Sequence, residues 1–134
     1  MQVSDVLSTR PLILVVDDTD GVRWTLARAL LRAGYHVLTA SCAADALKLL
    51  GRLRARPDLA VIDLYMPQVS GEELATELSS RHPRLPIVFV SAYGHDPDAV
   101  LPGLLLEKPF RLEVLCRIIT NLLVEASGVA TVPA

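Results

Sequence analysis

Three apolar runs of this chain each finish in charge. Leu12-Ile13-Leu14-Val15-Val16 ends at Asp17-Asp18, Leu59-Ala60-Val61-Ile62 at Asp63, and Leu104-Leu105-Leu106 runs through Glu107 to Lys108-Pro109. A fourth run, Ile87-Val88-Phe89-Val90, ends at Ser91. Taken singly, each has a plain explanation: an Asp after a strand caps a turn or helix, a lysine lies on the surface, a serine caps a loop. Brought to one place they make a different object. Two unit charges ~4 Å apart repel by about 4 kcal/mol at an effective dielectric of about 20, so three clustered carboxylates call for a cation. An all-oxygen ligand set with open positions suits Mg2+ or Mn2+, which keep waters and accept phosphate oxygens. Lys108 adds a point charge suited to a phosphoryl group, and Ser91 adds a hydroxyl donor. An Asp nucleophile, a divalent metal, a lysine and a hydroxyl are the parts needed to accept a phosphoryl group and hold an aspartyl phosphate.

For those residues to meet, their strands must run side by side in one direction. Residues 12–17 read as a fully buried strand, an unbroken Val/Ile/Leu run without alternation. Asp20 is placed to N-cap a helix over 21–33, with Val22, Leu26, Ala29, Leu30 and Ala33 as its stripe and Gly34 as its stop. A short strand over 36–40 follows. Ser41 opens a second helix through Arg54, with Ala43, Ala46, Leu47 and Leu50 inward. Residues 59–64 form the third strand. Ser70 caps a helix over 71–81, with Glu73 completing a capping box. Pro86 leads into a fourth strand over 87–91, and 104–107 forms a fifth. A last helix over 111–124 carries Leu112, Leu115, Ile119 and Leu122 inward. Strands alternating with helices imply an α/β fold, an open doubly wound parallel sheet, too few units for a (β/α)8 barrel. Ligands bind such sheets beyond the carboxyl ends of the strands. Asp17, Asp18, Asp63, Ser91 and Lys108 all fall at that edge.

The composition fits one globular domain. The 134 residues are 51% hydrophobic and 21% charged, which argues against disorder. Thirteen Lys+Arg against fifteen Asp+Glu leave a net charge of -2, and the arginines are scattered among acids and apolar residues. This makes no case for direct nucleic-acid binding. No apolar run reaches the length of a membrane span, and residues 1–10 lack a signal-peptide pattern. Cys42 and Cys116, far apart in helical patterns, read as free thiols of a reducing, cytoplasmic setting. His36, His82 and His95 lack metal-ligand spacing. No glycine-rich nucleotide loop is present. Residues 1–10 read as an extension, 11–124 as the domain, and 125–134 as a flexible tail.

On these residues the chain resembles the receiver domain of bacterial two-component response regulators. The likeness rests on Val15-Val16-Asp17-Asp18, on Asp63-Leu64-Tyr65-Met66-Pro67 followed by Gly71, on Ser91-Ala92, and on Lys108-Pro109-Phe110. It implies a flavodoxin-like, doubly wound five-stranded parallel sheet of order 2-1-3-4-5. It implies Asp63 as phosphoacceptor from a histidine kinase or a histidine phosphotransfer protein. Mg2+ would be held by Asp18, Asp63 and the backbone carbonyl of Tyr65, with Asp17 acting through a bound water. Lys108 would neutralise the phosphoryl group, Ser91 would turn toward it, and the Lys108-Pro109 peptide would be cis.

Two departures from the family pattern stand out. Where members carry a switch Tyr or Phe, three residues before the lysine, this chain has Leu105. Sixteen residues separate Ser91 from Lys108, broken by Pro97, Pro102 and Gly103. They leave room for about one helical turn, 98–101, so helix 4 is shortened. The family's usual output and dimer face would be remodelled, as in receivers attached to hybrid histidine kinases or acting alone. Tyr65 and Tyr93, two residues after the acceptor and the hydroxyl, would rim the site beside Ala92 and hinder an attacking water. Trp24 lies off the core stripe, with Arg28 and Leu31 at helical spacing. It either packs against the last helix or forms a partner patch with them.

Two rival functions accompany this reading. Asp18-Thr19-Asp20-Gly21-Val22 mimics the opening of haloacid-dehalogenase-like phosphatases, but after Lys108 only Glu113 and Glu125 are available as a later acidic pair. The other rival is a receiver-like interaction module that is never phosphorylated.

Overall fold

The computed structural model describes residues 10–93, 98 and 100–127. The elements alternate: β1 (Leu12–Val16), α1 (Asp20–Arg32), β2 (His36–Ala40), α2 (Ala43–Leu53), β3 (Leu59–Asp63), α3 (Gly71–Arg81), β4 (Ile87–Ser91), β5 (Leu104–Glu107) and α4 (Leu112–Ser127). All pairings are parallel, in the order β2-β1-β3-β4-β5. This is the flavodoxin-like doubly wound sheet, with the chain reversing direction of travel between β1 and β3.

The absence of alternation in the strands has a direct cause: both faces of the sheet are covered. Leu14, Val16, Ala60, Ile62 and Phe89 pack against α2 and α3 through Ala46, Leu50, Leu74 and Leu78. Their neighbours Ile13, Val15, Val61, Val88 and Val90 point the other way, against Leu26 and Leu30 of α1 and Leu115 and Ile119 of α4. Each fully buried Val, Leu, Ile or Phe among them contributes about 1.5–3 kcal/mol relative to exposure.

Two helix starts differ from the sequence expectation. Thr19, not Asp20, occupies the N-cap of α1, and its side chain makes no capping bond. Asp20 is instead the first helical residue, paired with Arg23. Cys42, not Ser41, caps α2, its Sγ accepting from Asp45 N at 3.4 Å. The Ser70 cap forms as expected, its Oγ accepting from Glu73 N at 3.1 Å. Gly34 closes α1 at φ 98°, a conformation that costs a glycine little. The last helix runs to Ser127, three residues beyond the expected 124.

No helix lies between β4 and β5 among the described residues. The single turn expected over 98–101 falls partly on residue 99, outside the described residues together with 94–97. The extension over 1–10, save Arg10, and the tail from 128 onward lie outside them too. Cys42 and Cys116 are free, half-buried thiols. Among the described residues, no helix is long and apolar enough to cross a membrane.

Candidate functional site

Parallel strands place their carboxyl ends on one edge, and that is where the chain's misplaced charges meet. Asp17 follows β1 directly, Asp63 and Ser91 are the last residues of β3 and β4, and Lys108 follows β5. Asp17, Asp63 and Ser91 are buried, whereas Asp18 is exposed. Carboxylate oxygens of Asp17, Asp18 and Asp63 all lie within 4.8 Å of one another. That donor set fits one hard divalent ion with waters filling its remaining positions. Lys108 reaches into the same space. Its Nζ stands 3.0 Å from Asp17 Oδ2 and 4.0 Å from Asp63 Oδ2.

The turns that present these groups are held by the groups themselves. Asp17 Oδ1 accepts from Thr19 N at 2.9 Å, and Arg23 Nη1 donates to the Asp17 carbonyl at 2.8 Å. Asp63 Oδ1 accepts from Tyr65 N at 3.3 Å. Lys108 N donates to the Ser91 carbonyl at 2.7 Å, and the Lys108–Pro109 peptide is cis.

Gly71 is a structural requirement of the site. A Cβ there would lie 2.1 Å from the Asp63 carbonyl oxygen, closer than any real contact. Only glycine lets the start of α3 press onto the strand end that carries Asp63, with Gly71 N donating to the Leu64 carbonyl at 3.0 Å. Gly103 does the same between β4 and β5, where a Cβ would stand 2.3 Å from the Ile87 carbonyl oxygen. The sequence motif contained Gly71; nothing in the sequence flagged Gly103 beyond its breaking a helical pattern.

Burial pushes the Asp63 carboxyl up from its ordinary 3.8 to about 6. The charge of Asp17 and a hydrogen bond with Asp18 push the same way, and Lys108 only partly offsets them. A carboxylate so destabilised is one that gains from a cation.

The remaining sequence candidates divide. Ser91 Oγ donates to the Tyr93 carbonyl at 2.7 Å and accepts from Tyr93 N at 3.1 Å, so the hydroxyl is turned into its own loop. Tyr65 and Tyr93 are exposed beside Ala92 and contact each other edge to face, ring centres 6.0 Å apart at 72°. Leu105 is half-buried, paired in register with Phe89. Trp24 does not pack into α4. It is 58% exposed and lines a groove with Ser41, Lys48 and Arg52, because its side of α1 overhangs the sheet edge at β2. Arg28 and Leu31 are exposed as well. A second groove of about 590 Å³ runs on the other flank of α1, lined by Val22, Thr25, Lys108, Pro109 and Phe110. Asp20, the second carboxylate of the phosphatase-like run, is held at the surface by Arg23.

A family model described as response regulator receiver domain matches residues 13–120. Sensor kinase CckA of Brucella abortus is 36% identical over 122 residues, covering 87% of this chain but 13% of that protein. Transcriptional regulatory protein AfsQ1 of Streptomyces coelicolor is 37% identical over 91 residues, 68% of this chain and 39% of that one. The chain thus spans well under half the length of these two relatives. It spans 98% of response regulator receiver protein CpdR of Brucella abortus, at 34% identity over 85% of this chain. Among solved structures, chemotaxis protein CheY4 of Vibrio cholerae superposes with a TM-score of 0.76 at 28% identity, covering 85% of this chain and 99% of that one. The receiver domain of the hybrid histidine kinase CckA superposes with a TM-score of 0.72 at 29% identity, over 84% of this chain and 98% of that domain.

Proposed function

The chain belongs to the response regulator receiver domain family of two-component signalling, and on that premise we propose that Asp63 is its phosphoacceptor. An Asp63 oxygen attacks the phosphorus of a phosphohistidine, the P–N bond breaks, and the imidazole leaves with the bonding pair. The observation that carries this reading is the position of Asp63: buried at a strand end, with two carboxylates and Lys108 Nζ around it. Receiver domains bind Mg2+ through acidic residues, and here the proposed ligands are Asp18, Asp63 and the Tyr65 carbonyl, with Asp17 acting through a water. Mn2+ fits the same oxygen set. When bound, the ion supplies positive charge against the carboxylates and the phosphoryl oxygens.

The chain's own residues do the rest. Lys108 exchanges its pairing with Asp17 for the incoming phosphoryl oxygens. Ser91 leaves its bonds to Tyr93 and donates to the same group. Leu105 leaves the family's aromatic switch without its ring, so movement of the Tyr93 loop carries the signal in its place. Tyr65, Tyr93 and Ala92 rim the acceptor and limit access of water.

Family relatives work with histidine kinases, and the proposed donor is a histidine kinase or phosphotransfer protein in a cytoplasmic setting, where the two thiols stay reduced. A donor helix laid across α1 meets the groove beside Lys108 on one flank and Trp24, Arg28 and Leu31 on the other. The decisive experiment is incubation with acetyl phosphate and Mg2+, followed by intact-mass measurement. Stoichiometric addition of one phosphoryl group, absent in Asp63→Asn, supports the assignment. No labelling under those conditions would leave an interaction module; multiple turnover of a phosphate ester would instead indicate a phosphatase.

A further inference from the structure

The opposite end of the sheet has its own character. Along the sequence the arginines look scattered, but the fold gathers three of them. Arg56 precedes β3, Arg81 ends α3, and Arg84 lies in the loop before β4; together with His82 they line one groove of about 450 Å³. Because the strands are parallel, this groove sits at their amino ends, a strand length of roughly 15 Å or more from the carboxylates.

Its charge is poorly offset. The one carboxylate lining it is Asp58, whose Oδ2 already accepts from Leu12 N at 2.7 Å. Arg81 is held by Glu77 at 3.0 Å. Arg56 and Arg84 pair with no carboxylate among the described residues.

The walls are apolar and stiff. Pro57, Pro83, Leu85 and Pro86 alternate with the cations. The prolines fix their own φ, and the loops are tied down by Asp58 N to the Leu12 carbonyl at 2.7 Å and Leu85 N to the His82 carbonyl at 3.0 Å. A surface already held in one shape loses little freedom when it binds. Guanidinium groups offer paired donors that match carboxylates, and the prolines between them offer apolar contact. Nucleic acid would meet a short cationic patch broken by prolines on a chain of net charge -2, a poor match to a phosphate track.

We infer that this groove is a docking surface for an acidic protein segment with apolar side chains between its carboxylates. Docking there leaves the phosphorylation edge open, so a partner can be held while Asp63 gains or loses its phosphoryl group.

The test is an amide-shift titration of the full chain by NMR, with a short peptide of alternating glutamate and leucine as probe. Saturable shifts centred on the amides of Arg56, Asp58, His82, Arg84 and Leu85 are expected. Binding should weaken about tenfold or more in the Arg56→Glu, Arg84→Glu double variant and should fall as salt rises. That variant should keep its spectrum elsewhere and its labelling by acetyl phosphate, which separates this inference from the assignment of Asp63. Absent shifts, shifts centred on the carboxylate edge, or equal binding by the double variant would overturn the proposal. So would a short oligothymidylate that shifts the same amides at lower concentration than the peptide.

Discussion

Lys108 is paired more closely with Asp17 than with Asp63. Its Nζ lies 3.0 Å from Asp17 Oδ2 and 4.0 Å from Asp63 Oδ2. Asp17 is fully buried, so this ammonium is the nearest compensation for its charge. Removing it leaves a buried carboxylate with no counter-ion. Lys108→Met should therefore lose about 2–4 kcal/mol of unfolding free energy without metal, as measured by urea titration. Mg2+ should restore part of that loss, while labelling from acetyl phosphate should stay at least about tenfold slower. Equal stability with and without Lys108 would contradict this pairing.

The raised Asp63 carboxyl gives a pH dependence of definite sign. Its folded value, about 6, exceeds its ordinary 3.8. The folded state therefore binds the proton more tightly than the unfolded state, and ionisation costs stability as pH rises through that interval. Above about pH 6, metal-free Asp63→Asn should be more stable than the parent by about 1–2 kcal/mol, less than the full shift implies because solvent screens the open site. The gap should close as pH falls toward 4. Mg2+ needs the ionised carboxylate, so its affinity, followed by thermal shift, should drop below about pH 6. A metal affinity flat from pH 5 to pH 7.5 would be evidence against Asp63 as a ligand.

Gly71 should tolerate no side chain. A Cβ would stand 2.1 Å from the Asp63 carbonyl oxygen, and neither partner is the loose end of a side chain. Gly71→Ala should cost about 2–3 kcal/mol and slow labelling by displacing the strand end that carries Asp63. Thermal denaturation beside a labelling time course measures both. Gly21→Ala, with open space around its Cβ, is the control expected to do neither.

The Tyr65–Tyr93 pair should set the lifetime of the phosphoryl group. Edge-to-face rings 6.0 Å apart hold each other in place with about 0.5–1.5 kcal/mol beyond area burial. Either Tyr65→Asn or Tyr93→Glu opens the rim and should speed hydrolysis several-fold, read from loss of phosphoryl mass after the donor is removed. An unchanged rate in both variants would rule out the rim as a barrier.

Much of the site could be read from residue order because of one geometrical rule. A crossover connection between successive strands keeps all of them parallel, so residues at separate strand ends arrive at one edge. Asp17, Asp63, Ser91 and Lys108 meet for that reason. The helix starts were less legible. Asp20 and Ser41 have good capping side chains, but Arg23 draws Asp20 outward, and Asp17 Oδ1 takes the Thr19 amide first. Capping is a competition among nearby donors and acceptors, and propensity does not reveal the competitors. Trp24 was equally ambiguous, since helical spacing gives its angle on α1 and not what stands beside that angle.

The sequence alone determined the order of the elements, the two-sided burial of the strands and the edge where charge collects. These follow from hydrophobic period and chain topology, which are local or nearly so. Tertiary structure decided which partner each charge takes: Lys108 with Asp17, Ser91 with the Tyr93 backbone, and Arg56 beside Arg81 and Arg84 across one groove. Those choices turn on ångström distances between residues far apart in the chain, and Coulomb and hydrogen-bond energies change steeply over such distances.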